Sequence, residues 1–426
     1  MKLNVFWFRR DLRIEDNTAW KAALDSEAPL LPIFIFDENI LEELPNEDPR
    51  VNFIYERLEL IHKELLFKGH CGIRVFKGDP LEVFKELFSV YECSTLFLNE
   101  DYEPYARKRD SSISELATEH SIEFKSFTDH VFFHPDEILK KDGTPYTVYT
   151  PYKNKWLLAF ADAELSIEKS NKKINSPFQK KFDFPTKSSL NILASKISIP
   201  EVTLSNIKKY DQFRDDPARD ATTYVGTHLR FGTIGIRTLI TQASKENDIY
   251  FSELIWRSFF IQILYHFPHT VNRSFKSKYE KIPWRNNPSE FQAWCNGETG
   301  IDLVDAGMKQ LNKTGFMHNR VRMVCASFLT KNLLIDWRWG EAYFAKKLLD
   351  FELASNNGNW QWSAGTGCDA SPYFRVFNPD SQAKKFDPKR IYIQRWLGDS
   401  LRPPALVDLK ESRKRAIETY KIALNN

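Results

Sequence analysis

Cysteine is scarce and scattered, and it offers little to build on. Cys71, Cys93, Cys295, Cys325 and Cys368 are odd in number and none stands in a CxxC spacing, so neither a disulfide framework nor a metal site follows. No apolar run approaches the roughly 20 residues that a membrane-spanning helix needs. The opening MKLNVFWFRRDLR reads as a strand and lacks the order of a secretory signal, which points to a cytoplasmic protein. Charge of one sign is missing too: 60 Lys and Arg against 57 Asp and Glu leave +3. Any polyanion partner must therefore be held by a local patch. There is no Walker A sequence and no GxGxxG following a strand, which disfavours the usual nucleoside triphosphate and nicotinamide enzymes. Internal repeats and low-complexity tracts are also lacking.

Aromatic surface is what the chain has in excess: 14% of residues are Phe, Trp or Tyr, with 11 Trp among them. That favours stacking platforms or a pocket for an aromatic cofactor. A length of 426 residues suits two or three domains, and 42% hydrophobic with 27% charged residues describe a soluble globular protein. Short β-rich runs from Leu3 to Phe8, Leu30 to Phe36, Ile73 to Phe76 and Thr95 to Leu98 alternate with helical patterns such as Val51 to Leu66. Runs apolar on both faces and spaced by helices predict an α/β domain with a parallel, Rossmann-like sheet over residues 1–128. Residues 129–199 are rich in Pro, Ser, Asn and Lys and are expected to link the domains along the surface, their lysines forming a solvated face. From 200 to 426 helical periodicity takes over and an all-α domain is expected. Within it, Ile301, Val304, Met308 and Leu311 share a face, and Thr299 stands three before Asp302 in capping-box spacing.

Residues 315–379 are the densest in chemistry. Trp337, Trp360 and Trp362 stand near Asn319, Asn356 and Arg322, which sets π surfaces beside hydrogen-bonding groups. A planar heteroaromatic ligand suits that mix, and a Trp-rich helical core is the alternative. On a helix Trp360 and Trp362 project roughly 200° apart, so they are expected to serve different surfaces. Arg322 and Asp350 are candidates for a buried ion pair. Further upstream, Glu253, Trp256, Arg257 and Phe260 fall at i, i+3, i+4 and i+7 and share one helix face. They either project together into a site or form a Glu253–Arg257 pair with Trp256 packed inward. Thr222, Thr223, Gly226 and Thr227 precede a helical segment, an arrangement that serves a phosphate or ordinary capping. His318 reads as a structural residue.

Taken together, WFRRDLRIEDN, TPYTVYTPY, TTYVGTHLRFGT, ELIWR, WCNGETGIDLVDAGMKQLNKTGFMHNRVRM, LLIDWRWG, NNGNWQWSAGTGCDASPYFRVFNP and KFDP resemble the photolyase and cryptochrome flavoproteins. The motifs stand in family order over nearly the whole chain and are most similar to class I cyclobutane pyrimidine dimer photolyases. The resemblance implies an N-terminal antenna domain and a helical domain holding FAD in a U shape. It also implies light-driven electron transfer to a pyrimidine dimer flipped out of UV-damaged DNA. Tyr210, Thr222, Thr223, Tyr224, Val225 and Gly226 then match the segment around the FAD phosphates, with Gly226 where the family has serine. Tyr250, Arg257, Arg322, Asp350, Glu352 and Asn356 match flavin contacts. Asn356 matches the residue opposite flavin N5, where plant cryptochromes carry aspartate; an amide cannot donate a proton as a carboxylic acid does, which favours fully reduced flavin.

The same resemblance assigns the dimer pocket to Glu253, Trp256, Asn319, Arg320, Met323 and Trp362, and further DNA contacts to Arg214, Arg257 and Gln382. Glu253, Asn319, Trp256, Trp362 and Asn356 are the expected catalytic set. Two indoles suit a V-shaped wedge around a non-planar dimer, while Glu253 and Asn319 suit its polar edges. Six-four photolyases carry His-His at His318-Asn319, and the WQW of Trp360–Trp362 departs from the DASH group. Trp360, Trp337 and Trp284 match a chain of indoles that carries electrons to the flavin. The antenna is left open among folate, deazaflavin, FMN or none, with Tyr105-Ala106 where folate binders place Asn-Glu. A monomer without a long regulatory tail is expected, and a blue-light photoreceptor without repair activity is the alternative.

Overall fold

The computed structural model describes residues 2–26, 28–164, 181–399 and 401–425. It divides into two compact units. The first comprises 1–137, 159–202 and 224–246, and the second 138–158, 203–223 and 247–426. One linker does not separate them: the stretch 129–199 is shared out, and its lysine-rich part at 165–180 lies outside the described residues.

The first unit is a five-stranded parallel sheet of β1 (Leu3–Phe8), β2 (Leu30–Asp37), β3 (Arg74–Gly78), β4 (Cys93–Asn99) and β5 (Glu123–Phe127), in the order β3-β2-β1-β4-β5. Every residue of β1 is buried because helices cover both faces, which is why the strand reads as a continuous apolar run. Its side chains alternate. Phe6 and Phe8 enter one core with Trp20 and Leu58, whereas Val5 and Trp7 enter the other with Ile33 and Phe84. β5 was missing from the sequence expectation. It is an edge strand, with Glu123 and Lys125 at positions where a central strand would carry apolar groups.

Among the described residues the second unit has no named strand. Its core gathers around the helices Asp302–Thr314, Asn319–Ser327 and Trp337–Lys347, with Val304, Met308, Leu311, Val324 and Trp337 all buried. The expected face of Ile301, Val304, Met308 and Leu311 is in that core. The helix start differs from expectation. Ile301 takes the cap position, and Asp305 accepts from the Thr299 N–H (2.7 Å), the Thr299 hydroxyl (2.7 Å) and the Gly300 N–H (2.9 Å). A carboxylate one turn inside the helix thus does the capping, which Thr299–Asp302 spacing alone does not reveal.

Candidate functional site

The helix Asp248–His266 is capped by Asn247, whose side chain accepts from the Tyr250 N–H at 3.0 Å. From it Glu253, Trp256, Arg257 and Phe260 all reach one cavity of about 370 Å³, a size that suits a cofactor site. The helix Asn319–Ser327 adds Asn319, Arg322 and Met323, and the helix Leu353–Ala364 adds Asn356, Trp360 and Trp362. Asp350 and Glu352, just before that helix, add to the polar lining with Arg214. Both Trp360 and Trp362 line this cavity, contrary to the expectation from their 200° separation. Trp360 is buried in the core and Trp362 is only partly covered, so the cavity is broad enough to meet long indoles from two sides of one helix.

Three guanidiniums face three carboxylates around it. Arg214 binds Glu253 at 2.7 Å, Arg257 binds Glu352 at 2.8 Å, and Arg322 holds Asp350 through two bonds of 2.8 and 3.1 Å. The charges of Glu253 and Arg257 thus take partners distant in the chain, where a local i,i+4 pair had been the alternative; spacing cannot see Arg214 or Glu352. The Arg322–Asp350 pair is half-buried, and bidentate geometry of this kind fixes orientation as well as charge. Asn356 donates its amide hydrogens toward Glu341, at 2.7 Å to Oε1 and 3.1 Å to the carbonyl. Its Oδ1 is therefore the atom offered as an acceptor. Burial pushes the Glu341 carboxyl up, partly offset by the bond from Asn356.

Two glycines shape the helix Leu353–Ala364 and its neighbour. A Cβ on Gly358 would meet Phe260 Cε1 at 2.5 Å, and one on Gly340 would meet Trp360 Cζ3 and Leu329 Cδ2 at 2.5 Å. His318 caps its own helix, its Nδ1 accepting from the Arg320 N–H at 3.2 Å. Burial, with Arg322 and Arg320 nearby, lowers its pKa to about 4, so it is a neutral structural residue.

Other expected residues stand outside the cavity lining. Tyr210 and Tyr250 meet edge to face at 5.0 Å, and the Tyr250 hydroxyl bonds the Thr223 hydroxyl at 2.9 Å. Burial pushes Tyr250 up to about 12, keeping its hydroxyl protonated. Thr222 has a buried hydroxyl without a partner. Thr222 and Thr223 belong to the second unit, whereas Tyr224, Val225 and Gly226 belong to the first; Tyr224 takes a left-handed backbone (φ 54°) where the helix Val225–Arg230 begins. Arg320 is bound to Asp215 at 2.6 Å, and Gln382 lies on the helix Pro379–Phe386. Trp337 and Trp360 share one core, with Trp284 packed against it. Sequence reasoning did not single out Phe344, Leu348, Ser355 or Asn359 of the lining, nor Glu341 behind Asn356. Only contact across the fold marks them.

The cavity suits the flavin ring of FAD by indole and phenyl walls for a planar group and by the acceptor of Asn356, and outside its lining the partnerless Thr222 hydroxyl lies in the segment expected near the phosphates. Open α/β sheets usually bind ligands at the topological switch point, and in the first unit the described residues there enclose little space. Beyond the ends of β1 and β4, a cavity of about 10 Å³ is lined by Arg9, Arg10, Asp11, Asn99, Asp101 and Asp129, which is room for about one water. Arg9 pairs with Asp110 at 2.5 Å and donates to the Asn99 carbonyl. Arg10 binds Asp101 and Glu103, each at 3.0 Å. Burial works against Asp101, yet Arg10, Arg230 and Arg9 together hold its carboxyl well below the usual range.

Known proteins place the chain clearly. Residues 4–171 match the DNA photolyase domain, and residues 250–402 match the FAD binding domain of DNA photolyase. A deoxyribodipyrimidine photo-lyase of Vibrio cholerae is 33% identical over 99% of this chain and 100% of its own length. That of Escherichia coli is 34% identical over 93% of this chain and 89% of its own. The crystal structure of a class III photolyase from Agrobacterium tumefaciens superposes with a TM-score of 0.89 at 29% identity, covering 100% of this chain and 98% of that one. An archaeal photolyase from Sulfolobus tokodaii, solved with two FAD molecules, gives 0.84 at 32% identity, covering 98% and 99%.

Proposed function

Because the chain belongs to the DNA photolyase family, we propose that it is a deoxyribodipyrimidine photo-lyase, a light-dependent enzyme that splits cyclobutane pyrimidine dimers in DNA. One observation carries the reading: Glu253, Trp256, Asn319, Met323 and Trp362 line the same cavity as Asn356, Arg257, Arg322, Asp350 and Glu352. Lesion-binding and flavin-binding side chains thus share one space, which an electron donor and its acceptor require. When bound, fully reduced FAD excited by near-UV or blue light would supply an electron for opening the cyclobutane ring and take it back once the ring has split.

The protein's own groups bind and orient. Arg257 and Arg322 would hold the flavin, their charges offset by Glu352 and Asp350, and Asn356 Oδ1 would accept a hydrogen bond from the ring. Trp256 and Trp362 would stack on a flipped lesion, which leaves a duplex more easily than an intact pair. Glu253 and Asn319 would bond its polar edges. Arg214 and Arg320 are the local cationic groups for DNA phosphates, a role that net charge hides. In this structure both are held in ion pairs, Arg214 by Glu253 and Arg320 by Asp215, so a phosphate would compete with those carboxylates. The class within the family is kept at the level of photolyase, since the Agrobacterium relative is class III.

The test is repair of a thymine-dimer oligonucleotide by the purified, chemically reduced protein under blue light, with a dark control. Light-dependent recovery of thymine absorbance is expected. Bound flavin without repair would replace this reading with that of a photoreceptor.

A further inference from the structure

We infer that Tyr149 is a positioning residue for the lesion pocket, fixing Trp256 as a preformed wall. The inference rests on the reading of Trp256 as a lesion-stacking residue. The two rings lie 3.5 Å apart and within 8° of parallel. Phe259 meets the indole edge to face at 5.7 Å, and Phe260 lies offset at 5.6 Å. Trp256 nevertheless stays partly open and lines the cavity with Glu253, Asn319 and Trp362.

Tyr149 is itself anchored twice, to the structures that carry the two walls. Its hydroxyl lies 2.7 Å from the Ser252 hydroxyl and donates to the Ser252 carbonyl at 2.8 Å, one turn before Trp256 on the same helix. Its backbone N–H donates to Asp369 at 2.9 Å, in the loop that follows the helix of Trp362, where the Ser371 N–H bonds the Trp362 carbonyl at 3.3 Å. Lys153 adds a bond to the Ser252 hydroxyl at 3.1 Å. An indole that is partly open on one face has several χ1 and χ2 wells, and binding must select one. A parallel ring at van der Waals distance on one face makes that selection before the lesion arrives, so the ordering cost falls on folding rather than on binding.

The experiment compares Tyr149→Phe, Tyr149→Leu and Trp256→Ala in the full chain with its flavin, measuring affinity for a dimer-containing and an undamaged oligonucleotide. Tyr149→Leu should lose lesion affinity by about tenfold, the size expected when one or two torsions are ordered at binding. Its affinity for undamaged DNA and its flavin content should not change. Tyr149→Phe keeps the stack and should bind the lesion as the parent does. Unchanged lesion affinity in Tyr149→Leu, or equal losses on both DNAs, would overturn the inference. If Trp256→Ala still prefers the lesion, the pocket assignment itself fails, whatever Tyr149 does. Should Tyr149→Leu shed its flavin, the unsubstituted protein decides through 5-fluorotryptophan labelling. One narrow Trp256 resonance before and after lesion binding supports a preformed wall, and a line that is exchange-broadened until DNA binds refutes it.

Discussion

Replacing Gly340 by alanine sets two effects of opposite sign against each other. In an exposed helix, glycine to alanine stabilises by about 1 kcal/mol, because alanine gives up less backbone entropy. Gly340 lies within the helix Trp337–Lys347, so propensity alone predicts a gain. The packing predicts a loss. The new methyl would stand 2.5 Å from Trp360 Cζ3 and 2.5 Å from Leu329 Cδ2, with Trp360 Cη2 nearer still. Neither neighbour can yield easily: Leu329 is fully buried, and Trp360 is 3% exposed, meeting Phe344 edge to face at 5.0 Å and Trp294 at 6.1 Å. Overpacking of a close-packed core costs roughly 1–3 kcal/mol, so the net effect should be a destabilisation of about 0–2 kcal/mol. The cavity that Trp360 lines gives the indole space to move into, so flavin retention should fall as well. Urea unfolding followed by far-UV circular dichroism, with flavin absorbance after gel filtration, reads both quantities. A stabilised variant with full flavin content would refute the placement of Trp360 against Gly340.

Three further outcomes can be checked. His318 is neutral when folded down to about pH 4, against an ordinary value of 6.5. The unfolded chain therefore binds the extra proton first, and stability fully present above pH 6.5 should fall as the pH drops toward 4, by on the order of 3 kcal/mol. His318→Asn keeps an acceptor for the Arg320 N–H, so the difference between its urea midpoints at pH 7.5 and 4.5 should be smaller than the parent's; an equal difference refutes the assignment. Trp337→Phe should block photoreduction of oxidised flavin yet leave repair by chemically reduced enzyme intact, and loss of both would mean that the residue serves another role. The small switch-point crevice predicts that FMN and a deazaflavin each pass through gel filtration unretained by it; stoichiometric retention of either that is lost on substituting Arg10 or Asp101 counts against it.

Most of the fold was legible because burial on both faces writes itself into composition. β1 is apolar at five of six positions and central in the sheet, and its run needs no periodicity to be found. β5 escaped because an edge strand carries charge for a reason unrelated to its backbone, and EFKSF alternates too weakly to be separated from a loop. The expected α/β stretch 1–128 falls within the first unit and 247–426 of the expected helical stretch within the second, but the exchange of segments between them was not legible. Between residues 137 and 247 the chain passes from one unit to the other five times, and local composition records none of these passages.

The site follows the same rule from the opposite side. Residues that share a helix face, such as Glu253, Trp256 and Arg257, could be grouped from spacing, since 3.6 residues per turn is a local property. What each of them binds could not. Arg257 finds Glu352 and Glu253 finds Arg214 across the unit, so the chemistry of each charge is decided by partners 95 and 39 positions away. The same holds for uncharged positions. Tyr149 is an ordinary aromatic in TPYTVYTPY until the fold lays it flat on Trp256, and Glu341 is an ordinary surface-pattern carboxylate until Asn356 turns its amide toward it. Residues with intrinsic chemistry thus announce a site in the sequence, while the residues that orient them have no signature of their own. Variants at Tyr149, Glu341 and Gly340 therefore test the arrangement of this cavity more sharply than variants at the tryptophans, whose loss would be felt in almost any account of it.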